Sequence, residues 1–245
     1  FLVIWEGWKF LFLVNTVIGL GLIALIAFKL PETHRPEGRH HRVSAVVGGI
    51  FRNYGQLIRV PRFTAYALVP GCLSGAFFSF ATAWSFLARE TLGISSGEFG
   101  LWFIFLSGGF LCGNLMSGRI GNRASVTFMT IGGALLNLAI IAGLWISHEI
   151  WGLSIWLMAI PGFMLGIAQG MCLPYAQTGA MQVNPSLAGS ASGAVVFCQL
   201  FFAGAGEQTV GLIADGTLYP VMMVMFGFGI AAIITAVVAA LTQPP

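Results

Sequence analysis

Charge is what this sequence has least of. Only 8% of its 245 residues are Asp, Glu, Lys or Arg, against about 25% in an ordinary soluble protein. A water-soluble domain of this length has too much surface to cover with so few charges. Cysteine is scarce as well. Cys72, Cys112, Cys172 and Cys198 each stand alone in an apolar run, which excludes a disulfide framework and a zinc-type ligand set. Paired acids, histidine clusters and a nucleophile with a base in reach are all missing, so the sequence does not read as an enzyme and implies no cofactor. It also lacks strand-like alternation of apolar and polar residues, which rules out a closed β-barrel.

What is present is apolar. Hydrophobic residues make up 57% of the chain, with 21 phenylalanines. Crossing the hydrocarbon core takes about 20 such residues in a helix. Seven segments qualify, at roughly 8–29, 63–87, 99–118, 124–147, 150–174, 188–207 and 218–242. The fold class is therefore all-α and integral to a membrane. The opening residues FLVIW resemble the tail of an earlier apolar segment, so the chain is expected to be a fragment of a longer polypeptide.

The few charges set an orientation. Lys29, Arg35, Arg39, Arg42, Arg52, Arg59, Arg62, Arg119 and Arg123 fall on one side of the alternating spans, and only Lys9 and Arg89 on the other. Basic residues collect in cytoplasmic loops, which predicts a cytoplasmic loop after the first span and a cytoplasmic C-terminus. Glu6, Glu90, Glu98, Glu149, Glu207 and Asp215 fall on the external side, near span ends rather than at mid-membrane, where an acid would mark a proton site. His148, in the short break after the fourth span, reads as an exposed polar residue. Within the basic loop, VSAVVGGIFRNYGQLI (43–58) spaces Val43, Val46, Val47, Ile50, Tyr54, Leu57 and Ile58 as one face of a helix. With Arg42, Arg52 and Arg59 beside it, this predicts an amphipathic helix on the cytoplasmic surface against anionic lipid.

Small residues four apart let membrane helices approach closely. The pairs Gly71–Gly75 and Gly109–Gly113, the triplet Gly162–Gly166–Gly170 and the pair Gly189–Gly193 place this pattern in the second, third, fifth and sixth spans. The first, fourth and seventh spans lack it. Two three-helix repeats after a leading helix would give that distribution, with the third helix of each repeat facing lipid.

The motifs carry a more specific resemblance. GWKFLFLVNTVIGLGLIALIAFKLPET resembles the sixth helix of a drug:proton antiporter of the major facilitator superfamily. RVPRFTAYALVPGCLSGAFFSFATAWSFL and GEFGLWFIF resemble the seventh and eighth helices of its Bcr/CflA branch. NPSLAGSASG resembles the signature entering helix eleven. RIGNR (119–123) matches the end of the superfamily's cytoplasmic loop motif at Arg119, Gly121 and Arg123, but Gly118 stands where the motif has an acid.

The resemblance implies seven helices of a twelve-helix fold. Residues 1–30 would end the N-terminal half, 31–62 would form the central loop, and 63–245 would be the C-terminal half. It implies proton-coupled efflux of drugs or small hydrophobic or cationic compounds by alternating access, in the inner membrane, with a proton gradient as energy source. Its partners would be the bilayer, a small-molecule substrate and the missing N-terminal half. It further implies that the second and fifth spans line a central cavity. Phe77, Phe80, Ala81 and Trp84 then form an aromatic face suited to such compounds, with Gln169 and Gln199 as polar groups. Pro161 and Pro174 bracket the fifth span, and Gly189 and Gly193 would give the sixth a flat face on which to slide. An exporter of a specific metabolite remains an alternative. A seven-helix receptor is a weaker one, and a retinal protein is excluded because Lys9 and Lys29 are the only lysines.

Overall fold

In the computed structural model, residues 8–29 and 43–242 are described. Glu6, Arg35, Arg39, Arg42 and the Pro-Glu-Thr that closes the sixth-helix motif lie outside them. The described chain is helical throughout. Helix α1 runs Trp8–Lys29, α2 Val43–Ile58, α3 Pro61–Glu90 and α4 Ser96–Ile120. Then follow α5 Val126–Trp151, α6 Ile155–Val183, α7 Ala188–Ile213 and α8 Tyr219–Leu241. All but α2 are long and apolar enough to span a bilayer. The chain divides into two compact units at Val46/Val47. The first contributes α1 and the start of α2, and the rest of this section concerns the second.

Local chemistry explains the helix ends. Ser95 caps α4 in a reciprocal box with Glu98, its Oγ accepting the Glu98 N–H while the Glu98 carboxylate accepts the Ser95 N–H. Ser125 and Ser154 accept the N–H of Phe128 and Leu157 at the starts of α5 and α6. The break after the fourth span falls later than the sequence pattern indicates. Ser147, His148 and Glu149 belong to the last turns of α5, and the chain turns at Gly152, whose φ of +69° suits only glycine. Pro174 does not end the fifth span either. It lies inside α6, which continues to Val183. A membrane helix tolerates the bond that proline cannot donate, here to the Gly170 carbonyl, and the Thr178 hydroxyl donates separately to the Pro174 carbonyl.

The packing obeys one rule. α3 packs on α7 and α8, and α6 packs on α4 and α5, so the first helix of each three-helix repeat lies against the second and third helices of the other. α3 and α6 also cross each other. Near the start of α3, the Tyr66 ring covers Gly179 near the end of α6. Near the end of α3, Trp84 covers Gly162 near the start of α6. The two helices are therefore antiparallel, as an inverted repeat requires.

Glycine makes the closest seams. A Cβ added to Gly109 would run into the Phe163 carbonyl, one on Gly113 into the Ile167 carbonyl, and one on Gly170 into the Phe110 carbonyl. On Gly166 it would stand 2.6 Å from the Leu106 oxygen and the Phe110 nitrogen. Thus α4 and α6 touch backbone to backbone. The α3–α7 seam is built alike. Gly71 faces the Cys198 carbonyl and Phe202, and a Cβ on Gly206 would lie 2.6 Å from the Gly75 oxygen.

Two expectations change here. Gly189 has no heavy atom within 4 Å of where its Cβ would stand, and Gly193 has only the Tyr54 hydroxyl. This pair is not the face by which α7 packs on the described bundle. Gly206, nearly four turns further on, serves that purpose. The apolar exposure is also not confined to the third helices. α4 and α7 bury a smaller share of their residues than α5 and α8, because each meets its neighbours mainly along one glycine face.

Candidate functional site

A cavity of about 410 Å³ opens between α3, α4, α6 and α7. On α3 it is lined by Ser74, Phe77, Phe78 and Ala81, one helical stripe. α4 adds Phe103, Leu106, Ser107 and Phe110; α6 adds Gln169 and Leu173; α7 adds Gln199 and Leu200. No ionisable side chain lines it. Its wall is aromatic and aliphatic with four polar groups, the composition of a site for an apolar ligand oriented by a few hydrogen bonds.

Of the expected cavity residues, Phe77, Ala81, Gln169 and Gln199 stand in this wall. Phe80 and Trp84 do not. Both are fully buried, their rings tilted against each other at 5.7 Å and packed over Gly162. Trp84 also meets Phe99 and Phe103 edge-on or tilted, at 6.3 and 6.2 Å. The correction has a simple cause. Phe77, Phe80, Ala81 and Trp84 share one broad face of α3, and the line between cavity and core runs down the middle of it. The stripe toward Ser74 and Phe78 meets the cavity, while the stripe toward Phe80 and Trp84 meets α6. The α4 residues are not among the expected ones, which come from the first helix of each repeat and, beyond these, Gln199 of α7.

Gln169 is the centre of the polar geometry. Its side chain is 3% exposed. Nε2 donates to Ser74 Oγ at 3.1 Å, tying α6 to α3, and Oε1 has no hydrogen-bond partner.

A second, almost wholly apolar cavity of about 500 Å³ continues along α3 toward its start, lined by Phe63, Thr64, Ala67 and Leu68 with Phe197 and Cys198 of α7. Tyr54 and Ile58 of α2 close its end. α2 is indeed helical at 43–58, although the side chains of Val43, Val46, Val47 and Ile50 lie outside those described. Leu57 is buried against the starts of α3 and α7, with Arg52 and Arg59 exposed. Asn53 Nδ2 donates to Ser190 Oγ at 3.5 Å. From α6, Gln177 Nε2 reaches Ser192 Oγ at 3.1 Å. The small-residue run that opens α7 is thus held on two sides by amide side chains.

The remaining candidates lie at the ends of the bundle. Arg119 is exposed in the last turn of α4, and Gly121–Arg123 form a single 3-10 turn. The Tyr175 hydroxyl donates to the Gly121 carbonyl at 2.7 Å, fastening this loop to α6. Glu207 does not end its span. It is half-buried within α7, which runs on to Ile213. His148 stacks edge-on with Tyr219 at 5.4 Å. Asp215 lies in the α7–α8 loop, and hydrogen bonds from the Thr217 hydroxyl and N–H hold its carboxyl below the usual carboxylate range. No group of histidine, cysteine and acidic residues able to hold a metal occurs among the described residues.

Inverted three-helix repeats, crossed on glycine seams around a cavity, are the architecture that the motifs resemble. Residues 1–207 match the family described as Major Facilitator Superfamily. The chain belongs to that family. This major facilitator chain is 27% identical over 237 residues to an uncharacterised MFS-type transporter, YdgK, of Bacillus subtilis, covering 96% of the chain and 55% of that relative. It is 26% identical over 188 residues to a bicyclomycin resistance protein homologue of Haemophilus influenzae, covering 76% and 46%. With multidrug resistance protein D of Escherichia coli the figures are 28% over 193 residues, 78% and 46%. The two resistance-named relatives agree with the Bcr/CflA resemblance of the helix motifs. The chain spans about half the length of these curated relatives. Its seven long apolar helices make it a multi-pass membrane chain of that family.

Proposed function

We propose that the whole protein is a proton-coupled exporter of small hydrophobic or cationic compounds, working by alternating access in the inner membrane. The observation that carries this reading is the cavity between α3, α4, α6 and α7. Its wall of Phe77, Phe78, Phe103 and Phe110 offers ring faces to flat or cationic molecules, and it holds no fixed charge that would demand one particular metabolite. The names of the bicyclomycin- and multidrug-resistance relatives support the same class of substrate.

In this reading the exposed apolar faces of α4 and α7, including Leu101, Ile104, Phe197 and Phe201, meet the N-terminal half of the polypeptide across the substrate path. That half would also carry the proton-binding residues. The excess of basic residues in alternate loops supports a cytoplasmic side for α2 and the C-terminus, with Arg52 and Arg59 toward anionic lipid.

The test is transport by the full-length parent in everted membrane vesicles, following ethidium with and without a proton gradient. Gradient-dependent uptake is expected. No uptake in either condition, with the protein present in the membrane, would instead favour an exporter of one specific metabolite.

A further inference from the structure

The Gln169 amide is only half used. Its Nε2 is committed to Ser74 Oγ, which fixes the plane of the amide, and its Oε1 is left without a donor. The residue is 3% exposed yet forms part of the cavity wall. The rings that line the same cavity, Phe77, Phe78, Phe103 and Phe110, have no N–H or O–H to offer. Ser107 and Gln199 line other parts of the wall, and neither makes a hydrogen bond to it. A carbonyl oxygen held in a low-dielectric site without a partner is costly to leave so, and it gains when a ligand supplies the donor.

We infer that Gln169 is the specificity-determining residue of this half of the site, and that it selects substrates carrying an N–H or O–H donor on an aromatic body. The inference rests on the exporter reading above and sharpens it. The rings of Phe77, Phe78 and Phe110 hold the apolar part of the molecule without regard to its polar groups. Gln169 Oε1 then accepts one hydrogen bond from it. Ser74 acts as a positioning residue, since its hydroxyl accepts from Nε2 and holds the amide against α3. A molecule of the same shape with its donors methylated enters the same cavity but leaves the oxygen unpaired. For one neutral hydrogen bond in a desolvated site the preference is about tenfold.

The experiment uses the full-length parent in proteoliposomes and two dyes of equal charge and similar outline: ethidium, with two aryl NH₂ groups, and its fully N-methylated analogue. The wild type is expected to transport both, with a KM about tenfold lower for ethidium. Gln169→Met, which keeps side-chain length and removes the acceptor, is expected to raise the KM for ethidium alone and erase the preference. Ser74→Ala, which leaves the glutamine but frees its amide to turn, is expected to narrow the preference. It serves as the second measurement should Gln169→Met fail to reach the membrane. Transport of both dyes with the same preference in the wild type and in these variants overturns the inference and leaves the exporter reading standing. Transport of neither dye by the wild type overturns both.

Discussion

Ser74 and Gln169 are 95 positions apart and hydrogen-bonded, Nε2 to Oγ, at 3.1 Å. The same shift of 95 carries Trp84 onto Gly179, and Tyr66 onto Pro161, the neighbour of Gly162. Tyr66 covers Gly179 and Trp84 covers Gly162. The two contacts therefore lie, within one residue, at positions related by exchanging α3 with α6, although both rings belong to α3 and both glycines to α6. The Ser74–Gln169 pair is the point that maps onto itself. The pseudo-two-fold axis of the repeat passes through the polar pair in the cavity wall.

The α4–α6 seam predicts a sharp difference between glycines that look alike in sequence. Gly166→Val drives its new atoms into the Leu106 and Phe110 backbone, and overpacking of this kind costs about 1–3 kcal/mol or more. The expected outcome is a lower midpoint of thermal unfolding in detergent for the full-length protein. Gly189→Leu has open space around it and is expected to leave that midpoint unchanged. It is also expected to abolish transport, because in the proposed exporter the free face of α7 is the one turned to the N-terminal half. Wild-type export by Gly189→Leu would remove that role.

The split face of α3 gives a second comparison. Trp84→Ala empties a fully buried site and is expected to destabilise by about 3–5 kcal/mol, seen as loss of folded protein. Phe78→Ala, at the half-open side of the stripe, is expected to cost far less stability and to raise KM for aromatic substrates. A Trp84→Ala protein of normal stability with altered substrate preference would return Trp84 to the cavity.

Asn137 is fully buried in α5, and neither atom of its amide has a partner. An unsatisfied buried amide is unfavourable, and replacing it with an apolar side chain of similar size is neutral or stabilising. Asn137→Leu is therefore expected to hold or raise the unfolding midpoint. A clear drop would mean that a bound water or another group satisfies the amide.

The contact between α2 and α7 is open to cross-linking. In a protein without its native cysteines, Asn53→Cys paired with Ser190→Cys is expected to form a disulfide on mild oxidation, detected by mass spectrometry of the linked peptides. Their side chains already approach to 3.5 Å. Failure to cross-link would detach α2 from the start of α7.

Much of the fold was legible in the sequence because the bilayer acts on it locally. A span needs only length and hydropathy, and the first predicted segment, 8–29, coincides with Trp8–Lys29. Boundaries slipped where capping or proline chemistry competed with hydropathy, as at Gly152 and Pro174. The small-residue pattern runs through the α4–α6 seam, but it did not separate Gly166, buried against backbone, from Gly189, which faces open space. Both sit in the same four-residue spacing, and only the neighbour differs.

The site was half legible for the same reason. Phe77, Ala81, Gln169 and Gln199 could be placed on cavity-lining helices from the family resemblance, whereas Phe78, Phe103 and Phe110 could not. A helix that is apolar all round carries no amphipathic stripe to show which side faces a neighbour, and lipid is as apolar as a protein core. The sequence by itself determined that the chain belongs in a membrane and that its described residues hold seven spans. Only the tertiary structure decided which side of each helix meets backbone, core or cavity, because that depends on backbone approach at Gly109, Gly113, Gly166 and Gly206, set by partners far away in the chain.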